Sequence, residues 1–171
     1  MSFLDLAKAR YSVRKFTDKP VEEEKLNAIL EAAKVAPTAK NFQPVRVYVI
    51  KSEEALEKIN KVSPCIYGAK LVMMVFYDLE QTYRSGWNPG ISSGDVDAAI
   101  VCTHMMLEAA DLGLGSCWVA RFARADAHRT FELPENIVPV ALLPIGYAAE
   151  DAVPSPRHES YKADSELFTE L

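Results

Sequence analysis

Two arginines bracket a serine near the start of the chain, in Arg10-Tyr11-Ser12-Val13-Arg14-Lys15-Phe16. Residues 8–19 carry Lys8, Arg10, Arg14, Lys15 and Lys19 against Asp18 alone, in a chain whose net charge is −5. Guanidinium groups beside a hydroxyl suit a phosphate or another compact anion. Read as a helix, the segment places Arg10 and Arg14 on one face, where like charges repel until an anion lies between them. The other use of the same residues is a solvated, basic helix end.

Three more segments carry polar chemistry beside regular elements. In Ala36-Pro37-Thr38-Ala39-Lys40-Asn41-Phe42-Gln43-Pro44, the side chains of Thr38, Asn41 and Gln43 offer donors and acceptors that match a heterocycle edge. The alternative is a turn that satisfies its own backbone. Gly115-Ser116-Cys117-Trp118-Val119-Ala120-Arg121-Phe122 and Leu143-Pro144-Ile145-Gly146-Tyr147 are the other two, the last followed by a tail containing Arg157. Nucleophilic chemistry finds little support. Cys117 reads as a small core residue, Ser12 lacks the GxSxG turn, and the acids form no catalytic pair. Cys65, Cys102 and Cys117 show no CxxC, and His104, His128 and His158 show no metal-ligand spacing. His104 and the two Met-Met pairs fall in apolar runs and read as core.

The elements that position these segments follow from periodicity. Helices are expected at 2–9, 22–35, 53–61, 95–112 and 126–132, and strands at 45–50, 71–77, 116–120 and 137–147. VRVYVI alternates as a strand does, while LVMMVFY is an unbroken apolar run and hence a buried strand. Residues 78–93 form a Gly/Ser/Asn-rich loop with Tyr83 and Trp87. The helix at 95–112 is apolar nearly all round, which demands burial in a core or a subunit interface. A chain of 171 residues has little room to surround one helix, so an obligate homodimer is expected, with Leu167, Phe168 and Leu171 available to pack on the partner. Strands alternating with helices make the class mixed α and β. No GxGxxG follows a strand, which excludes a dinucleotide-binding unit of that type.

Bulk properties narrow the functions. The length suits one domain, 1–171, and a pI near 5.3 argues against nucleic-acid binding. No apolar run approaches the roughly 20 residues of a membrane span. An acid at Asp5, where a secretory signal would be basic, points to the cytoplasm.

The combination of RxSxRxF, AP-T-x-x-N-x-QP, a long apolar helix ending in LGLGSCWV, and LLPIGY resembles the nitroreductase family, in order and spacing from Leu4 to about Arg157. The resemblance implies an α+β fold with a central mixed sheet flanked by helices. It also implies an obligate homodimer with two FMN sites built from both subunits, and oxidation of NAD(P)H. By position, Arg10 matches a phosphate-contacting arginine, Ser12 a serine at the flavin, and Arg14 a basic residue near the ring's N1/O2 edge, with Tyr11 between them. Pro37, Thr38, Ala39 and Asn41 match a loop that reaches the flavin from the other subunit. Trp118, Val119 and Arg121 match a strand end whose backbone approaches N5. Ala120-Arg121 stands where some relatives have Glu-Gly, so Arg121 either adds charge near flavin and nicotinamide or is an exposed strand-end residue. Arg157 and Lys162 both suit the C-terminal phosphate contact. Tyr83 and Trp87 either line the substrate pocket or pack a dimer surface. The implied activity is hydride transfer from NAD(P)H through flavin N5 to a nitroaromatic or quinone in ping-pong order. The other readings are a flavin carrier or sensor with little turnover and, further off, a flavin-free anion-binding module.

Overall fold

The computed structural model describes residues 2–171. Its elements are α1 (Phe3–Ala9), α2 (Glu23–Val35), β1 (Val45–Ile50), α3 (Glu53–Val62), β2 (Leu71–Asp78), α4 (Gly94–Asp111), β3 (Gly115–Ser116), α5 (Arg124–Phe131), β4 (Ile137–Gly146) and α6 (Asp164–Leu167). The expected elements at 22–35, 45–50, 53–61, 71–77, 95–112 and 137–147 are all present, with no end moved by more than one residue. Ser2 caps α1 reciprocally with Asp5, and the Ser52 hydroxyl accepts the Ala55 N–H at the start of α3.

The sheet order is β1-β2-β4-β3, and each neighbouring pair is antiparallel. The expected mixed sheet is therefore corrected. Among the described residues, the parallel component is one isolated bridge, Ser12–Ser116. Alternating helices and strands specify composition, not direction. Between β1 and β2 the chain passes α3 and then a left-handed turn at Tyr67–Gly68 (φ 54° and 75°), and re-enters the sheet running the opposite way.

β2 explains its own sequence. All eight of its residues are buried. Leu71, Met73, Val75 and Tyr77 join the core that includes α2 and α4, while Val72, Met74 and Phe76 join the core that includes α3 and α5. A strand covered on both faces must be apolar throughout. In β4, Val75 pairs with Ala141 and Phe76 with Pro139, so Val140 is the extra residue of a bulge, where proline is tolerated.

Two expectations fail for traceable reasons. The strand at 116–120 shrinks to Gly115–Ser116 plus a bridge between Val119 and Leu142. Cys117 N–H donates to Pro144 O at 3.2 Å, but Pro144 has no N–H to return, so the ladder breaks there. Nor is α4 buried all round. Ala98, Cys102, Met105 and Ala109 are fully buried, whereas Val96 is 61% exposed and Ala99, Ile100, Thr103, His104 and Leu107 are half-exposed. His104 is therefore on the open side of α4 rather than in the core, and its Nδ1 lies 2.9 Å from Ile100 O.

The end of β4 is clamped to α2 and α4. Lys25 Nζ donates to Leu112 O (2.8 Å), past the C-terminus of α4, and to the Tyr147 hydroxyl (3.0 Å). That hydroxyl donates to Glu22 (2.7 Å) and is the main cause holding its carboxyl down at about 2. The sign follows from linkage: this contribution is present above the ordinary carboxylate range and is lost as pH falls toward 2. No helix among the described residues is long and apolar enough to cross a membrane.

Gly115 permits a close approach between two segments at the sheet edge. A Cβ there would stand 2.6 Å from Val13 Cγ2, and Val13 is 2% exposed. Gly115→Ala is expected to destabilise the protein by about 1–3 kcal/mol through overpacking, measured as a lower denaturation midpoint with an unchanged slope. An unchanged midpoint would show that Val13 moves aside without cost.

Candidate functional site

Arg10–Phe16 is not helical. α1 ends at Ala9, and Arg10 has extended geometry (φ −63°, ψ 131°). Sheet-like bonds then take over. Val13 N–H donates to Ser116 O (2.9 Å), Thr17 N–H to Tyr147 O (2.9 Å), and Ala149 N–H to Lys15 O (3.0 Å). In an extended chain alternate residues share a side, so Arg10, Ser12 and Arg14 still group together while Val13 enters the core. The grouping expected of a helix is reached by a different geometry.

Arg14 Nη1 donates to Ser12 O at 3.3 Å. Its charge lies close to Cys117 and the Tyr67 hydroxyl. Among the described residues neither Arg10 nor Arg14 has a carboxylate within ion-pair distance, whereas Lys15 pairs with Asp151 and Lys19 with Glu22. Two guanidinium groups thus stand free at one edge of the sheet, which suits the anion anticipated there. Arg10 and Tyr11 line a cavity of about 220 Å³ together with Gly115 and Ser116. The Ser116 hydroxyl, 3% exposed, has no hydrogen-bond partner among the described residues. A buried hydroxyl without a partner is a polar group that a ligand would satisfy.

The tail reaches the same edge. Tyr11 donates its hydroxyl hydrogen to Ala152 O (3.2 Å), its ring meets that of His158 edge-on at 6.2 Å, and His158 Nε2 lies 3.1 Å from Lys8 O. Arg157 therefore sits in a turn docked on the Lys8–Tyr11 segment. Lys162 lies further along, with Glu166 at 3.9 Å.

The Gly115–Phe122 segment divides by face. Cys117 and Val119 are buried in the core on the α3/α5 side, while Trp118 packs on the α4 side. Val119 N–H and C=O are both spent on Leu142 at 2.9 Å. Ala120 O accepts the Phe122 N–H at 3.0 Å, so the backbone left to meet a ligand is the N–H groups of exposed Ala120 and Arg121, with Val119 as the anchor. Ser63, fully buried, donates its hydroxyl hydrogen to Arg121 O at 2.8 Å and ties this strand end to the Pro64–Gly68 turn.

Thr38–Gln43 lies elsewhere. Asn41 N–H donates to Thr38 O (2.9 Å) and Gln43 N–H to Thr38 Oγ1 (3.0 Å). Ala39 N–H donates to Asp97 Oδ1 (2.9 Å) in the first turns of α4. Phe42 packs edge-on against Tyr83 at 6.2 Å, and Lys40 Nζ lies 5.0 Å from that ring, so Tyr83 belongs to this loop's surroundings. Trp87 is 92% exposed, and no ring contact of that kind involves it among the described residues. The two sets of residues flank opposite ends of α4, whose 18 residues span ~27 Å. One chain does not bring Arg10–Arg14 and Thr38–Asn41 together.

Sequence reasoning missed Asp97, Ser93, Ser63 and Tyr67. Asp97 did leave a signal: it shares an i, i+4, i+8 stripe with buried Val101 and Met105, where an acid is out of place unless it has partners. Tyr67 left none, because its left-handed backbone is visible only in the structure.

These features define an α+β protein with a free cationic strand at one end of a central helix and a polar loop at the other. The profile described as the nitroreductase family matches residues 7–66 and 63–147. A Methanothermobacter thermautotrophicus protein, whose name makes it a candidate NADH dehydrogenase/NAD(P)H nitroreductase, is 33% identical over 159 residues, 88% of this chain and 80% of that protein. The crystal structure of a nitroreductase family protein from Clostridium difficile 630 superposes with a TM-score of 0.92 at 38% identity, covering 99% of this chain and 98% of that one. An FMN-dependent nitroreductase from Clostridium difficile R20291 superposes with a TM-score of 0.75 at 26% identity, over 93% and 98% of the two chains. The chain belongs to the nitroreductase family.

Burial pushes the Cys117 thiol up despite the opposing charge of Arg14 and a hydrogen bond with Ser12, and it pushes Cys102 up to about 12. A raised thiol is mostly uncharged near neutrality and reacts slowly. In the folded protein at about pH 8, Cys102 and Cys117 are expected to resist a disulfide reagent that labels them in denaturant. Rapid labelling of folded Cys117 would contradict its place in the core.

Proposed function

We propose that this chain, one domain spanning 1–171, is an FMN-dependent NAD(P)H oxidoreductase. It works in the cytoplasm as a homodimer and reduces a small acceptor such as a nitroaromatic or quinone. The observation that carries this reading is the separation of two ligand-ready segments along α4, each matching one half of a flavin site. A cofactor touched by both must lie between two chains. The open side of α4 supports such pairing, since an apolar groove of about 500 Å³ lined by Val96, Ala99, Ile100 and Thr103 runs along it. Exposed Leu167 and Phe168 in the tail offer further apolar surface. Relatives and similar structures named for NAD(P)H and FMN support the cofactor and the electron donor.

Bound FMN would supply hydride acceptance and donation at N5. Arg10, with Arg157 from the docked tail, would hold the phosphate, and Tyr11 and Ser12 would line the approach to the ring. Arg14, which keeps its proton at any working pH, would stabilise negative charge at the N1/O2 edge and so raise the reduction potential. Trp118 and Val119 would fix the strand end, so that the Ala120–Arg121 backbone faces N5. The partner's loop would bring Pro37, Thr38, Ala39 and Asn41 over the ring. Such a site needs no carboxylate acid–base pair for hydride arrival, in keeping with the scattered acids.

Purified protein is expected to be yellow, or to become so with FMN, and to bleach with NADH or NADPH without oxygen. Colour should return on adding a nitroaromatic or quinone. Protein that stays colourless after FMN addition would refute the cofactor, and colour that nicotinamide never bleaches would mark a carrier.

Arg14→Ala should lower the flavin potential, by redox titration, and Arg10→Ala should weaken FMN binding more than riboflavin binding. An unchanged potential, or equal loss for both ligands, would reverse those assignments.

A further inference from the structure

We propose that Asp97 is a positioning residue that holds the Thr38–Gln43 loop in the one shape able to meet the flavin. The inference rests on the FMN reading, but its structural part stands without it. Asp97 is 1% exposed and has no cationic partner among the described residues. Instead, one carboxylate oxygen accepts the Ala39 N–H at 2.9 Å, and the other accepts the Ser93 hydroxyl at 2.6 Å. Asp97 N–H donates in turn to Ser93 O at 2.8 Å. Ser93 extends the connection. Its N–H donates to Tyr83 O (2.9 Å), and its hydroxyl oxygen accepts the Tyr83 N–H (3.2 Å). One buried acid therefore fixes the loop expected at the flavin and the backbone of the aromatic residue packed beside it.

The loop needs such a hold. Lys40, Asn41 and Gln43 adopt left-handed backbone (φ 50°, 57° and 53°), which L side chains with a Cβ adopt at a cost. Three such residues in a run of four relax unless other bonds over-determine them. The Ala39–Asp97 bond comes at the first residue of the turn and anchors it to α4, the most deeply packed helix. Without it, the Thr38 and Asn41 side chains lose their fixed direction. Asp97 does not touch the cofactor in this arrangement; it acts through Ala39 and Ser93.

Two substitutions separate this role from bulk stability. Asp97→Asn keeps an oxygen for Ala39 N–H and offers an N–H to the Ser93 hydroxyl, so it should preserve the loop. Asp97→Ala removes both bonds. Ala39→Pro deletes the donor at the residue before the left-handed run, where the preceding Thr38 is extended (φ −130°, ψ 159°) as a residue before proline prefers. The apo-proteins are first treated with trypsin, reading cleavage after Lys40, and are then titrated with FMN by fluorescence. Asp97→Ala should speed cleavage after Lys40 and weaken FMN binding about tenfold or more. Asp97→Asn should restore both, and Ala39→Pro should reproduce the loss of affinity without adding to it in the Asp97→Ala background. If Asp97→Ala does not fold, Ala39→Pro against wild type decides. Cleavage and affinity unchanged in Asp97→Ala, or full affinity in Ala39→Pro, would overturn the proposal. Failure of wild type to bind FMN would overturn the cofactor reading instead, and the trypsin result without flavin would still decide whether Asp97 holds the loop.

Discussion

The packing of α4 on β2 and β4 is the constraint from which the rest of the structure takes its dimensions. Ala98, Cys102 and Ala109 are small and let the helix lie close to the sheet, Met105 fills the space between, and all four are fully buried. Each large apolar side chain buried there contributes about 1.5–3 kcal/mol, so the helix cannot slide by a turn without losing several such terms. With α4 held, its first turns are fixed beside the Thr38–Gln43 loop through Asp97. Its last turn delivers the chain through Gly113, at φ 75°, into the Gly115–Ser116 strand against which Arg10–Val13 is laid. Neither candidate segment is built where it is by its own local preferences.

That dependence explains which features were legible in the sequence. β1, β2 and β4 were readable because their patterns report burial of their own faces: alternation in VRVYVI, an unbroken apolar run in LVMMVFY. The helices α2, α3 and α4 were readable for the same reason. What escaped was set by distant partners. The strand expected at 116–120 is interrupted by Pro144, the residue opposite Cys117 on β4. The conformation of Arg10–Arg14 is set by Ser116 across the sheet edge, not by the helix before it. The antiparallel order is a property of how connections turn, which no local period records. Even so, the residue types of the candidate site were legible ahead of their geometry. Arg10, Ser12, Arg14 and Arg157 do gather near one edge, because residue types suited to an anion do not depend on whether a helix or an extended strand presents them.

The charges at that edge show a division of labour. Lys15, Lys19 and Lys70 are paired with Asp151, Glu22 and Asp18 at the exposed rim, where an ion pair contributes little to stability. Among the described residues, Arg10 and Arg14 are left without carboxylates. An unpaired guanidinium that keeps part of its hydration costs the fold little, and it stays available for a ligand. Beneath them, the Cys117 thiol is kept neutral by burial, so it places no opposing negative charge under the cationic strand. The field at this edge is therefore positive on its surface and neutral in its floor, an arrangement that suits a bound anion.

Strain is concentrated at the other end of α4, and its location is informative. Among the described residues five without a glycine's freedom adopt positive φ, and three of them, Lys40, Asn41 and Gln43, lie in a single loop. Each costs of the order of 1–3 kcal/mol, a sum that a loop serving only to connect α2 to β1 would shed through ordinary turn residues. The loop instead keeps Lys, Asn and Gln at those positions and recovers the cost through Asp97, Thr38 and Arg46, whose guanidinium donates to Gln43 O at 3.0 Å. A strained backbone stabilised from three directions presents its side chains in one direction only. Within one chain, that direction serves no other part of the protein that carries the free arginines, since they lie at the far end of α4. The strain is intelligible as the cost of holding the Thr38–Gln43 side chains rigid at the end of α4 opposite the arginines.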